Sequence, residues 1–413
     1  MRPRSKISSF TLVELLIVIA ILAVLAAAVV IVLNPAELLA QARDSQRLSD
    51  ISTLKNAVDL MIVDDPSVSL GTPQKVYISI PDTSATCANI TGLPVLPAGW
   101  TYNCVTSENL RKTDSTGWVP LNFSAIIGGS PIPFLPIDPV NDALTGRYYT
   151  YTMRGSYELT ALMEAQKSFA NIRDGGSFVE IYEVGTDLSL LPVSRDPSLV
   201  GYWTFDGTGT ISNGQTAGLI DRSGRDNNGT ASNVNGSGMS FVTGKVGNAV
   251  DLDGIDDYVA AGSPTLLRIT DSFTISAWVK PAIIGSWLGF TELYSGSSIV
   301  RSLYYCHGSS PMYYTTFSDN SYSTFYGSSS GMVAGQWVHL VFNYDQPTKT
   351  YKFYQNGNLT NMVTRALYEK YDSNTMKVGR VENHYSQASV DDLRIYNRAL
   401  SSTEIKSMYD ATK

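Results

Sequence analysis

The feature that most constrains this chain is an apolar run from Phe10 to Leu33 holding a single charge, Glu14. The run exceeds the roughly 18 residues that a helix needs to cross a bilayer. It also exceeds the core of a cleaved secretory signal, and no small-residue cleavage site follows it. Arg2, Arg4 and Lys6 precede it. Basic flanks stay on the cytoplasmic side, so the rest of the chain is expected to face outward. A carboxylate at the centre of such a helix costs about 2.5–3.5 kcal/mol, and less near the interface. A positive partner would explain why Glu14 is tolerated.

The residues around it, Ser8-Ser9-Phe10-Thr11-Leu12-Val13-Glu14-Leu15-Leu16-Ile17-Val18-Ile19-Ala20, resemble the class III leader junction of type IV pilins and pseudopilins. The resemblance implies cleavage by a prepilin peptidase between Ser9 and Phe10, followed by N-methylation of the new amino terminus. Ser9 stands where the family usually has glycine. Glu14 is then an assembly residue that pairs with the freed amine of a neighbouring subunit. The implied partners are other pilin subunits, in a homo- or hetero-filament, and the prepilin peptidase/methyltransferase. The bacterial inner membrane would hold the precursor, and the assembled subunit would be extracellular. A simple single-span anchor is the competing reading.

Asn34-Pro35 is expected to break or kink the helix. Beyond it Leu48, Ile51, Leu54, Val58, Met61 and Ile62 recur at helical spacing. Arg43, Asp44, Arg47, Asp50 and Lys55 are expected on other faces. The reading is a leader over 1–9, a transmembrane and filament-core helix over 10–33, and an amphipathic half over 34–63.

Residues 64–192 read as a compact head of short strands between proline-rich turns. Lys75–Ile80 and Arg147–Met153 are strand candidates. Alternation of Tyr149, Tyr151 and Met153 predicts a half-buried antiparallel strand. Pro136-Ile137-Asp138-Pro139 precedes a tyrosine-rich segment, as a proline-aspartate-proline turn does in pseudopilin heads. Some of those heads bind calcium nearby, but only Asp138 matches, and it is read as a turn former. Cys87 and Cys104 form a disulfide if the head is exported, or stand as two buried thiols. Residues 193–198 read as a short proline-stiffened linker.

From 199 to 413 the chain reads as all-β. Phe273, Ile275, Ala277 and Val279 alternate with Thr274, Ser276, Trp278 and Lys280. Trp337–Tyr344 and Thr350–Gln355 are further strands, and Asn356-Gly357 signals a type I′ hairpin turn. Many strands over this length imply a two-sheet sandwich. Leu199-Val200-Gly201-Tyr202-Trp203-Thr204-Phe205-Asp206, the segment Gly247 to Val259, and Val390-Asp391-Asp392-Leu393-Arg394-Ile395-Tyr396 look like the laminin G-like, concanavalin A-like lectin/glucanase group. That resemblance implies a jelly roll, an extracellular location and binding of carbohydrate or protein. The whole fold is therefore expected to be an α+β pilin, with a long N-terminal helix on a small antiparallel sheet, followed by an all-β jelly-roll sandwich. Some members of the group hold a structural calcium, for which Asp206, Asp221, Asn227 and Asp391 are the oxygen-rich candidates. The competing reading is that they cap turns. Asp251, Asp253, Asp256 and Asp257 lack the spacing of an EF-hand loop, and a hairpin at Asp253-Gly254 is expected instead. Ser401 and Glu404 form a capping box for a terminal helix.

Tyr304, Tyr305, Tyr313, Tyr314, Tyr322 and Tyr326 recur among Ser and Gly, a mix that binding surfaces use, though sandwich strands use it too. A net charge of −7 gives no basic footprint for nucleic acid. Glucanases of this fold carry Glu-x-Asp-x-x-Glu on one strand, and no such run occurs. The expected function is thus non-enzymatic: a minor or tip filament subunit that presents a sandwich for adhesion to a surface glycan or protein. A pseudopilin of a secretion or DNA-uptake system and a membrane-anchored glycan-active enzyme are the alternatives.

Overall fold

The computed structural model describes residues 12–33, 35–165, 174–178, 180–233, 239–262, 271–284, 288–295, 298–307, 310–316, 322–326, 332–365, 376–381 and 384–413. Within these, side chains are described outside 23–33 and 288–326.

Two helices open the chain, α1 (Leu12–Leu33) and α2 (Pro35–Asp64). Every side chain from Leu12 to Leu22 is exposed. Among the described residues no helix is long and apolar enough to cross a membrane. On α2 the buried stripe is Ala40, Asp44, Arg47, Ile51, Leu54, Ala57, Val58 and Met61, a three–four spacing that places one face of the helix against the head. Complete burial of Ile51, Leu54 and Val58 contributes about 1.5–3 kcal/mol each. Asp44 and Arg47 were expected on other faces; they lie inside this stripe because each is paired there.

The head sheet has strands β1 (Lys75–Ile78), β2 (Thr101–Asn103), β3 (Thr150–Met153), β4 (Tyr157–Leu162) and β5 (Ile181–Gly185) in the order β2-β1-β3-β4-β5. All its pairs are antiparallel except β1 with β2. One face, through Tyr77, Tyr149, Tyr151, Tyr157 and Leu159, packs on α2. The predicted half-buried strand is buried throughout: Thr150 and Thr152, on its second face, are closed off as fully as Tyr149 and Tyr151.

The closure comes from the second unit. Its strands are β6 (Leu199–Trp203), β7 (Thr210–Ile211), β8 (Gly229–Ser232), β9 (Met239–Thr243), β10 (Asn248–Asp253), β11 (Tyr258–Ala261), β12 (Phe273–Pro281), β13 (Leu288–Ser295), β14 (Ser298–His307), β15 (Ser310–Thr316), β16 (Tyr322–Tyr326), β17 (Val338–Asp345), β18 (Thr350–Gln355), β19 (Asn358–Thr364), β20 (Met376–Val378), β21 (Arg380–Val381), β22 (His384–Tyr385) and β23 (Gln387–Tyr396), followed by helix α3 (Ser402–Thr412). One sheet runs β19-β18-β17-β12-β23-β10-β9-β7, with β6 paired to β23, and the other runs β16-β15-β14-β13-β20-β11-β8. Trp203, Phe205, Val250, Val259, Phe273, Ile275, Phe342 and Leu393 fill the space between them.

Residues that alternate to the outer face of the first sheet are also buried. Leu199, Tyr202, Val341, Tyr354 and Tyr396 join Ile405 and Met408 of α3 in one apolar cluster with Val76, Ile78, Tyr148, Leu162 and Ile181 of the head. The segment 193–198 lies in this junction, with Val193, Ser194 and Arg195 buried. The strict alternation expected in β12 fails for the same reason. Ser276 and Trp278 are covered by α3: Ser276 Oγ reaches Met408 Sδ at 3.2 Å, and Trp278 Nε1 donates to Thr412 Oγ1 at 2.9 Å. The Asn356-Gly357 turn has φ of 50° and 73°, which matches the predicted type I′ geometry. Asp253-Gly254 does not make a hairpin, because β10 pairs with β9 and β23 while β11 pairs with β8 and β20. The turn instead carries the chain from one sheet to the other.

Candidate functional sites

Glu14 lies in the first turn of α1, flanked by exposed Leu12, Val13, Leu15 and Leu16. A helix surface this apolar and this exposed marks a face that is covered in an assembly or a membrane. Ser9 and Phe10, the implied cleavage and methylation residues, lie outside the described residues.

Below α1, a buried charge network ties α2 to the head. Arg47 donates from Nε and Nη2 to Asp138 at 2.7 and 2.9 Å, and from Nη1 to Asp44 at 2.8 Å and Glu164 at 3.3 Å. Asp44 also accepts from the backbone N–H of Glu164 and Ala165. Burial alone would lower the Arg47 pKa, and the bonds from Asp138 and Asp44 more than reverse that, so it is raised. Hydrogen bonding from Arg43 holds Glu164 down to about 2. Asp138 also accepts from Val140 N at 2.8 Å. It is therefore the turn former expected and, in addition, the main partner of Arg47. No local pattern signals this pair, whose members stand 91 residues apart.

Cys87 and Cys104 are joined as a disulfide, with Cα atoms 5.3 Å apart at a sequence separation of 17. Closing a loop of this size stabilises by about 3 kcal/mol in the chain-entropy model.

The four expected calcium ligands fall into two pairs: Asp221 and Asn227 share one turn, while Asp206 and Asp391 both accept from the 245–248 segment. Asp221 accepts from the backbone N–H groups of Tyr202, Ser223 and Asn227. Asn227 donates to Val200 O. Asp206 accepts from Asn248 N, and Asp391 from Lys245 N and Val246 N. These bonds are backbone caps, and they leave Asp391 Oδ1 buried without a hydrogen-bond partner. Among the described residues, the group of three acidic or other metal-ligating side chains that converges is a different one, Asp253, Asp256 and Asp257.

The six tyrosines of the expected ligand surface lie on β14, β15 and β16, at one edge of the second sheet. The backbone register places Tyr304 and Tyr326 opposite Met312, Tyr314 opposite Ser302, Tyr313 opposite Leu303, Tyr305 opposite Pro311 and Tyr322 opposite Thr316. Their side chains lie outside the description. Sequence reasoning missed a cavity of about 450 Å³ between head and sandwich, lined by Arg147, Glu164, Glu180, Asp196, Tyr396 and Arg398 among others. It exists only because the two units dock, which no local pattern encodes.

Fold and sites together define a class: a helix-mounted α+β head carrying a β-sandwich of the lectin-like kind. The family model of the prokaryotic N-terminal methylation motif matches residues 4–30, and that of the concanavalin A-like lectin/glucanases superfamily matches residues 253–406. The chain thus carries a type IV pilin methylation motif fused to a C-terminal laminin G-like domain. No curated protein matches it. Among solved structures it is similar to domain 4 of AbnA, a GH43 extracellular arabinanase from Geobacillus stearothermophilus in complex with arabinotriose. The identity is 20%, the TM-score is 0.41, and the match covers 52% of this chain and 98% of that one. It is also similar to the binding domain of Paraclostridial Mosquitocidal Protein 1, at 15% identity and TM-score 0.40, covering 50% and 52%. The botulinum neurotoxin serotype G binding domain matches at 15% identity and TM-score 0.40, covering 51% and 50%. The chain spans about half the length of these two toxin domains.

Proposed function

We propose that this chain is a subunit of a type IV pilus-like filament, held in the bacterial inner membrane as a precursor through residues 10–33. After the prepilin peptidase cuts before Phe10 and the terminus is methylated, Glu14 pairs with the amino terminus of an adjoining subunit. The observation that carries this reading is Glu14 itself, the lone charge in the apolar run, set in the first turn of α1 beside exposed aliphatic side chains. The sandwich is the display module, and it binds a surface glycan or protein without cleaving it. Its docking on the head through a shared apolar cluster supports a fixed orientation on the stalk. A second unit of this bulk favours a minor or tip position, where it clears neighbouring heads.

The experiment is Glu14→Ala. Membrane insertion is expected to persist, while the variant disappears from sheared filaments. Recovery of the variant in filaments at wild-type level rejects the pairing.

A further inference from the structure

The crossover between β10 and β11 holds Asp253, Asp256 and Asp257, each offering a carboxylate oxygen within 4.8 Å of the others. Two ligands on opposite sides of one calcium ion, each at about 2.4 Å, stand about 4.8 Å apart. The turn is tightly built. Gly254 has φ of +79°, and a Cβ there would come within 2.8 Å of Gln387 Cβ. Asp253 Oδ1 accepts from Ile255 N at 2.7 Å and Asp256 N at 3.3 Å, and Asp257 Oδ2 accepts from Asp253 N at 3.3 Å. Asp256 and Asp257 are 3% and 2% exposed.

Turn capping accounts for Asp253 Oδ1 and Asp257 Oδ2. It does not account for Asp257 Oδ1, which is buried and has no hydrogen-bond partner. A buried carboxylate oxygen without a donor is costly, and a bound cation removes that cost.

We propose that Asp253, Asp256 and Asp257 bind one calcium ion, which clamps the strand ends of the two sheets where the chain passes between them. The hard, all-oxygen donor set selects calcium over softer metals. Because β10 belongs to one sheet and β11 to the other, the ion stabilises the sandwich from its rim. The proposal is independent of filament assembly.

The test uses the full chain in detergent, stripped with a chelator and titrated calorimetrically with calcium chloride. One equivalent per chain is expected, with a rise in the unfolding temperature of the wild type. Asp257→Asn, checked by circular dichroism, is expected to weaken binding by about tenfold or more. If that variant does not fold, Asp256→Asn takes its place in the same comparison. No binding or unfolding shift in the stripped wild type at about 5 mM calcium, above the weakest extracellular range, overturns the proposal. So does a folded variant that binds as the wild type does.

Discussion

Arg47 of α2 and Asp138 of the head form a two-pronged ion pair with both side chains wholly buried. The pair joins the stalk to the body it carries, so its loss reports on the whole arrangement. Breaking a buried pair from one side leaves the other charge uncompensated, which costs about 3–5 kcal/mol. Arg47→Ala is therefore expected to lower the urea midpoint of the full chain by an amount in that range. Joint replacement by Arg47→Met and Asp138→Leu is expected to recover part of it, because Asp138 is no longer left uncompensated, while Asp44 still loses its bond from Arg47. A loss under about 1 kcal/mol for Arg47→Ala, the scale of an exposed pair, contradicts the burial of this network.

Acidic groups on the second face of the head sheet set a pH dependence. Burial pushes Asp174 up from 3.8 to about 7, and it raises Glu158 and Glu183 as well. A carboxyl whose folded pKa is raised binds its proton more tightly in the folded state. Its contribution is present in full below pH 4 and is lost as pH rises through 7. Wild type compared with Asp174→Asn is expected to show a stability difference that shifts against the wild type from pH 4 to pH 7 and is constant above. Comparing the two removes contributions from other groups, such as His339, which burial lowers to about 3. Parallel stability curves across this window contradict the assignment.

The display role is checked by a glycan array probed with the full chain in detergent, with and without calcium. Binding without release of sugars is the expected outcome. Silence in both conditions removes the glycan and leaves a protein ligand or a spacer, and released sugars restore the enzymatic alternative.

Legibility followed the range of the interactions. The α1 run, the Asn356-Gly357 turn and the Ser401–Glu404 capping box, in which each partner bonds the other's backbone N–H, depend on neighbours in sequence and were readable there. Asp138 was half readable: its turn is local, its bond to Arg47 is not. What stayed hidden depends on docking. Thr150, Ser276 and Trp278 look like solvent-side residues until the sandwich and α3 cover them, and 193–198 looks like a spacer until both units close over it. The Asp253-Gly254 turn misled for a related reason: its residues suit a hairpin, and only strand pairing tells a hairpin from a crossover.

The central claim is the proposed pairing of Glu14, in the apolar helix, with the amino terminus of another subunit. Intact mass spectrometry of the mature chain, with sequencing of its first residues, tests it most directly. The account predicts a chain that begins at Phe10 and carries a methylated amino group. A mature chain that still begins at Met1, or one trimmed past Leu33, contradicts it.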